Sequence, residues 1–185
     1  MTMERSTIFA GFGGQGILFA GKVLAEAALL EGREVLWIPS YGPEMRGGTA
    51  SCTVIVADRP IGSPIVDRAD HAVVLNPPSM ARYTPFVAVG GLLVINTTLI
   101  EAEAGRDDIE ILEVPCTALA RLAGDDRLVS VVALGALVGA RRFVEPDSVH
   151  RALAVLLASR HPDVVAADIA AFDAGYEAGL EEVIA

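Results

Sequence analysis

The sequence predicts an α/β fold in which one domain, residues 1–185, holds a mainly parallel sheet flanked by helices. Three observations predict this class. A short β-rich segment, Ser6–Ala10, leads through glycines into an apolar pattern of helical period. Continuous apolar runs at 72–75 and 92–95 are typical of strands that are covered on both faces. The C-terminal third of the chain contains only helical patterns.

The first part of the chain predicts a strand, a turn, a helix and a second strand. The helix begins at Ile17 and ends near Gly32, because glycine is favoured just after a helix. A buried strand follows at Val35–Ile38, and a partly alternating strand is predicted at Thr49–Ala57. This order is the opening of a parallel βαβ unit, so we expect a Rossmann-like arrangement in which the first two strands belong to one parallel unit.

The rest of the chain predicts one more strand, at 110–114, and then helices. Thr117 is expected to cap a short helix that ends near Ala123. Gly135 and Gly139 share one face of a longer helix, which permits close packing against a neighbour. The longer helices are predicted to begin at Asp125, Pro146 and Pro162.

Composition excludes several classes of protein. Lys and Arg number 14 against 24 Asp and Glu, a net charge of −10, so a nucleic acid is a poor partner. Pro85, Gly90, Gly91 and Asn96 break the longest uncharged stretch, which argues against a membrane span. The two isolated cysteines and the N-terminal residues, which do not form a secretory signal, predict a cytoplasmic protein.

A glycine-rich turn is the first candidate binding element. It combines Gly11, Gly13 and Gly16 in the pattern G-x-G-x-x-G, with Gly14 and Gln15 between them. Such a turn lets a ligand approach backbone N–H groups, and the helix N-terminus that follows favours an anion or phosphate. The alternative is that the glycines only allow the strand and the helix to pack tightly.

Two nucleotide-binding interpretations of this turn lack a required residue. A dinucleotide site needs an acid at the end of the second strand, but the sequence has Pro39-Ser40 there, and Glu34 lies at the wrong end. A phosphate loop of the ATPase type needs Ser or Thr after Lys22, where the chain has Val23.

A second loop follows the second strand and is expected to lie beside the glycine-rich turn. In an open parallel sheet, the loops at the carboxyl ends of the strands line the binding crevice. Arg46 can bind a phosphate or carboxylate through two hydrogen bonds, and Tyr41 could stack on a planar group. The alternative is an ordinary surface loop with a solvated pair of Glu44 and Arg46. The candidate binding residues of this loop are Ser40, Tyr41, Gly42, Pro43, Glu44, Met45, Arg46, Gly47 and Gly48.

Other polar residues give weaker signals. Cys52 and Cys116 are interpreted as structural, although a helix N-terminus after Cys116 would lower its pKa. The segment Asn76-Pro77-Pro78 either lines the crevice or forms a plain turn. The three histidines show no catalytic or metal-binding spacing, so we predict neither a catalytic residue nor a metal site in this chain.

The paired motifs GFGGQG at 11–16 and SYGPEMRGG at 40–48 resemble the γ subunit of 2-oxoacid:ferredoxin oxidoreductases. The segments CTVIVADRPIGSPIV, GGLLVINTTLI and VALGALVGA extend the resemblance to about Gly139. The resemblance implies a subunit of an enzyme that decarboxylates a 2-oxoacid, reduces ferredoxin and transfers the acyl group to coenzyme A. It also implies that the second loop lies nearest the active site.

The resemblance further implies where the cofactors and partners lie. Thiamine diphosphate, Mg and the iron–sulfur clusters would be held by partner α and β subunits, with a δ subunit as a further candidate, and this chain would help to form the coenzyme A site. The isolated chain is expected to be inactive. Three alternatives stay open: the small subunit of an indolepyruvate oxidoreductase, a stand-alone nucleotide-binding module, and an assembly subunit with no ligand contact.

Overall fold

The computed structural model describes residues 3–41 and 48–184, which form a six-stranded sheet with helices on both faces. The strands are β1 (Glu4–Phe12), β2 (Glu34–Tyr41), β3 (Thr49–Ala57), β4 (Ala69–Val74), β5 (Val87–Asn96) and β6 (Glu110–Val114). The helices are α1 (Ile17–Leu30), α2 (Pro77–Tyr83), α3 (Cys116–Leu122), α4 (Val129–Arg141), α5 (Pro146–Leu156) and α6 (Pro162–Ile184). The predicted α/β class with a mainly parallel sheet is confirmed.

The strand order is β2-β3-β1-β4-β5-β6, and β3 is antiparallel to both of its neighbours. All other neighbouring pairs are parallel. The prediction of a simple βαβ unit was wrong in one respect: β2 runs in the direction of β1, but β3 lies between them. Ala50 on β3 therefore faces Gly11 of β1 on one side and Tyr41 of β2 on the other.

Strand residues alternate between two apolar layers. Phe9, Val73 and Val94 point towards the thicker layer, which contains α1 and α3–α6, whereas Ile8 and Ile95 point towards a thinner layer beneath α2. This two-sided burial explains why the second halves of β4 and β5 are continuously apolar in sequence.

The close approach predicted for Gly135 and Gly139 is confirmed. A Cβ on Gly135 would overlap the carbonyl oxygen of Phe172, and a Cβ on Gly139 would overlap that of Tyr176, both on α6. Gly175 and Gly179 of α6 contact the backbone of α4 in the same way. Helix α4 therefore lies buried between the sheet and α6.

Helix ends differ from the sequence prediction in two places. Thr117 does not cap α3; Pro115 occupies the cap position, and the Thr117 N–H donates to Asn96 Oδ1 at 3.2 Å. The segment after β4 is a helix rather than a plain turn, because Asn76 Oδ1 accepts the Ser79 N–H at 2.8 Å and caps α2. No helix in the described ranges is long and apolar enough to cross a membrane.

Candidate functional site

The topology places a crevice between the carboxyl ends of β1 and β4. The chain leaves β1 through α1 towards β2 at one side of the sheet, and it leaves β4 through α2 towards β5 at the other side. Helices α1 and α2 cover opposite faces of the sheet. Such a switch in direction opens a ligand-binding crevice in open α/β sheets.

The glycine-rich turn forms the β1 side of this crevice. Gly14 (φ 98°) and Gly16 (φ 76°) adopt left-handed conformations that favour glycine, and Gly16 is the N-cap of α1. No side chain caps this helix among the described residues, so its first N–H groups and its dipole face the crevice. The turn therefore has the backbone features that an anion site requires.

The two predicted loops meet at one hydrogen bond. The Gly13 N–H donates to the Gly48 carbonyl oxygen at 3.1 Å, so the end of the second loop lies against the turn. Ser40 is exposed near the end of β2, opposite Ser51 of β3. The remaining predicted residues of this loop, Gly42, Pro43, Glu44, Met45, Arg46 and Gly47, lie outside the described residues.

The glycine-rich turn also packs against the start of α4. The Ser130 hydroxyl oxygen is buried, has no hydrogen-bond partner among the described residues, and lies 2.5 Å from where a Cβ on Gly16 would be. Glycine is therefore required at this position for its backbone conformation and for the space that Ser130 fills. The N-termini of α1 and α4 converge here, which adds the positive ends of two helix dipoles.

Comparison with known families identifies this architecture. Residues 6–178 match the family described as pyruvate ferredoxin/flavodoxin oxidoreductase. The chain belongs to this family. The predicted resemblance is thereby confirmed at the level of the family.

Two relatives show how far the sequence similarity extends along the chain. The chain is 31% identical to a 2-oxoglutarate synthase subunit of Methanocaldococcus jannaschii, over 97% of this chain and 96% of that one. It is 43% identical to a ketoisovalerate oxidoreductase subunit of Methanothermobacter thermautotrophicus, over 70% of this chain but only 27% of that one. The chain thus spans about a quarter of the length of that curated relative.

A solved structure shows the same fold. The γ subunit of a keto/oxoacid ferredoxin oxidoreductase from Geobacter sulfurreducens superposes with a TM-score of 0.85, at 26% identity. The match covers 97% of this chain and 98% of that subunit. The fold described above is therefore similar to that of this γ subunit.

Two buried amides lie at the crevice: the segment that contains Asn76 was a weak candidate for lining it, whereas Asn96 was not predicted as a site residue. In this family member, Asn76 follows β4 and Asn96 ends β5, and both side chains are at most 1% exposed. Asn96 Nδ2 donates to the Leu75 carbonyl at 3.3 Å and to Thr117 Oγ1 at 2.9 Å. The signal in the sequence was an asparagine directly after each of the two apolar runs 72–75 and 92–95.

The two cysteines are buried, and neither supplies a reactive thiol to the crevice. Burial raises the pKa of the Cys52 thiol to about 12 and that of the Cys116 thiol to about 12, so neither is a nucleophile at neutral pH. The pKa of Cys116 is therefore raised rather than lowered. The described ranges contain no group of three His, Cys, Asp or Glu residues that could hold a metal ion.

Proposed function

We propose that this chain is the γ-type subunit of a multisubunit 2-oxoacid:ferredoxin oxidoreductase. The complex would convert a 2-oxoacid, with 2-oxoglutarate as the first candidate, to its acyl-coenzyme A and pass the electrons to ferredoxin. Support comes mainly from the 2-oxoglutarate synthase subunit, because its likeness extends over nearly the whole of both chains. In this proposal, α and β subunits hold thiamine diphosphate, Mg and the iron–sulfur clusters.

The same proposal assigns this chain a share of the coenzyme A site. The glycine-rich turn, the uncapped N-terminus of α1 and Arg46 suit the phosphate groups of coenzyme A. A Cβ on Gly14 would meet no atom of the described residues within 4 Å, which supports a turn that a ligand can approach. Tyr41, Glu44 and Met45 would form the wall shared with the partner subunits.

Purification of the complex under native conditions tests the main proposal. The chain is tagged, isolated from its own cells under anaerobic conditions, and analysed for bound subunits, thiamine diphosphate and iron–sulfur absorption. We expect partner chains that carry both cofactors, and a 2-oxoacid-dependent reduction of ferredoxin that requires coenzyme A. A partner-free protein with its own turnover would contradict the proposal.

The 2-oxoacid is assigned by comparing substrates with the same complex. We expect the highest kcat/KM for 2-oxoglutarate in a panel that also contains pyruvate, 2-oxoisovalerate and indolepyruvate. A preference for indolepyruvate would instead assign the aromatic-substrate relative of the family.

Arg46 provides the test of the coenzyme A site. Replacing Arg46 by Ala removes a charge-assisted hydrogen bond, so the KM for coenzyme A in the assembled complex should rise by about 10-fold. The control is Arg59→Ala, since Arg59 follows β3 at the opposite edge of the sheet. An unchanged KM in an intact complex would remove Arg46 from this role.

A further inference from the structure

We infer that Gln15 is a hydrogen-bond donor of fixed orientation, which makes the glycine-rich turn selective for ligand groups that only accept hydrogen bonds. The ligand class is an ionised phosphate or phosphoanhydride. The inference rests on the proposed function, because it concerns the turn to which coenzyme A is assigned there. The inference identifies Gln15 as the residue that selects the ligand and Asn76 as the residue that positions Gln15.

The orientation of the Gln15 amide follows from a main-chain partner. The Phe12 N–H lies 2.6 Å from Gln15 Oε1, and a main-chain N–H can only donate. The atom that faces Phe12 must therefore be the amide oxygen. The Gln15 Nε2 group then points away from this bond and keeps two N–H donors.

The buried side-chain amide of Asn76 donates a second hydrogen bond to the same oxygen, Gln15 Oε1. Asn76 Nδ2 donates to Gln15 Oε1 at 3.4 Å. Asn76 cannot turn over, because its Oδ1 accepts the Ser79 N–H and caps α2. Its side chain is fully buried, so it reaches no ligand itself. Asn76 is thus a positioning residue that acts through Gln15.

Gly11 makes room for this arrangement. A Cβ on Gly11 would lie 2.7 Å from Gln15 Oε1 and 2.9 Å from Ile17 Cδ1. Any larger residue would push the Gln15 side chain away from the Phe12 N–H. Glycine is therefore needed at position 11 for the space that the Gln15 side chain occupies. It is not needed for backbone conformation, because the φ angle of Gly11 is not in the left-handed region.

In the described part of the crevice, Gln15 Nε2 and the first N–H groups of α1 are hydrogen-bond donors. Gln15 is half-buried, and its Nε2 makes no hydrogen bond to any residue in the described ranges. It lies next to Gly16, the N-cap that begins the uncapped first turn of α1. A phosphate oxygen accepts from such a set of donors, whereas these donor groups offer an ammonium group no acceptor.

Nuclear magnetic resonance of the full chain tests the donor directly. Inorganic pyrophosphate and coenzyme A are added separately, and the side-chain NH₂ signal of Gln15 is followed with the backbone amides of 16–18. We expect all of these signals to shift together on saturation. Backbone shifts without a Gln15 shift would overturn the inference and leave the coenzyme site in place. Signals that stay fixed with both probes would overturn both.

Two nearly isosteric variants separate donation from structure. Gln15→Glu keeps an oxygen for the Phe12 N–H but removes the donor, so pyrophosphate affinity should fall about 10-fold or more while the unfolding temperature stays unchanged. The loss should persist at 0.5 M salt, where a purely electrostatic effect is screened. An affinity that recovers fully at high salt would overturn the role of the donor.

The positioning residue gives an independent readout. Asn76→Asp keeps the cap on Ser79 but places an oxygen against Gln15 Oε1. Because the Phe12 N–H still requires an oxygen, the repulsion should displace the Gln15 side chain from its position rather than turn its amide over. We expect pyrophosphate affinity to fall by a similar factor, and the Gln15 NH₂ signal of the ligand-free variant to shift. Unchanged affinity and an unchanged NH₂ signal would overturn the role of Asn76.

Discussion

Around one cavity at the amino ends of the parallel strands, here called the amino edge, charged side chains are paired with one another. At the carboxyl ends of β1, β4 and β5, here called the carboxyl edge, neutral amides join the described residues instead. At the amino edge, Arg5 lies 3.4 Å from Asp70 and Arg141 lies 3.0 Å from Glu110. They line a cavity of about 290 Å³ together with the buried His71. Each charge there already has an opposite charge beside it.

The carboxyl edge uses asparagine and glutamine instead. An amide has both a donor and an acceptor, so Asn76 and Asn96 can each join two or more elements without placing a charge beside the crevice. A buried carboxylate there would repel an anionic ligand. If the proposed coenzyme A site is correct, the ligand binds where hydrogen-bond donors remain after the fold is held together, rather than where charged side chains pair with one another.

Asn96→Ala should give the largest effect on stability. It removes two donated hydrogen bonds, to Leu75 and Thr117, and the acceptor for the Thr117 N–H, all in a buried site. Unsatisfied buried partners cost about 1–3 kcal/mol each, so we expect the free energy of unfolding to fall by about 3 kcal/mol in urea denaturation.

Two milder variants calibrate this prediction. Thr117→Val removes only the hydroxyl and should cost about 1 kcal/mol. Thr98→Ala removes an exposed hydroxyl that accepts the Ala118 N–H, and should cost less than about 1 kcal/mol. If Asn96→Ala costs no more than Thr98→Ala, the amides do not hold this edge together.

The fold could be predicted from the sequence where the signal is local. Thr49–Ala57 and Glu110–Val114 match the observed strands, because apolar runs bounded by turns mark buried strands directly. The insertion of β3 between β1 and β2 could not be predicted, since strand order depends on pairing between distant segments. Helix α2 was missed because two prolines after Asn76 are typical of turns as well as of a first helical turn.

The candidate site was predicted in part. The pattern G-x-G-x-x-G placed the turn correctly, and the hydrogen bond from Gly13 to Gly48 joins it to the second loop as expected. The contact between Gln15 and Asn76 joins residues 61 positions apart, so no local pattern indicates it. The role of Gly11 likewise depends on the folded position of Gln15.

The amino edge should determine part of the pH dependence of stability. Burial is the main cause that lowers the pKa of His71 from 6.5 to about 4; Asp70 opposes this shift, and the charges of Arg141 and Arg5 contribute to it. The unfolded chain therefore binds a proton on His71 at a higher pH than the folded chain does. Stability from this residue is present at neutral pH and is lost as the pH falls from about 6.5 to about 4.

His71→Phe tests this dependence. The substitution preserves the ring that stacks on Phe143. Between pH 7.5 and 5.5, the wild type should lose about 1 kcal/mol more than the variant in urea denaturation. His161→Gln is the control, because the side chain of His161 is 73% exposed. Equal losses in the wild type and His71→Phe would show that His71 does not bind a proton on unfolding.

Arg5→Gln should give the smallest effect and completes the contrast between the edges. The ion pair with Asp70 is half-exposed, so its loss should change the free energy of unfolding by less than about 1 kcal/mol. The difference should shrink further at high salt, because exposed charges are screened. Asp70 keeps its hydrogen bonds to the Ser6 main chain and hydroxyl in this variant. Pyrophosphate affinity at the opposite edge should not change; a clear loss would show that charges at the amino edge contribute to binding, against the division of roles argued above.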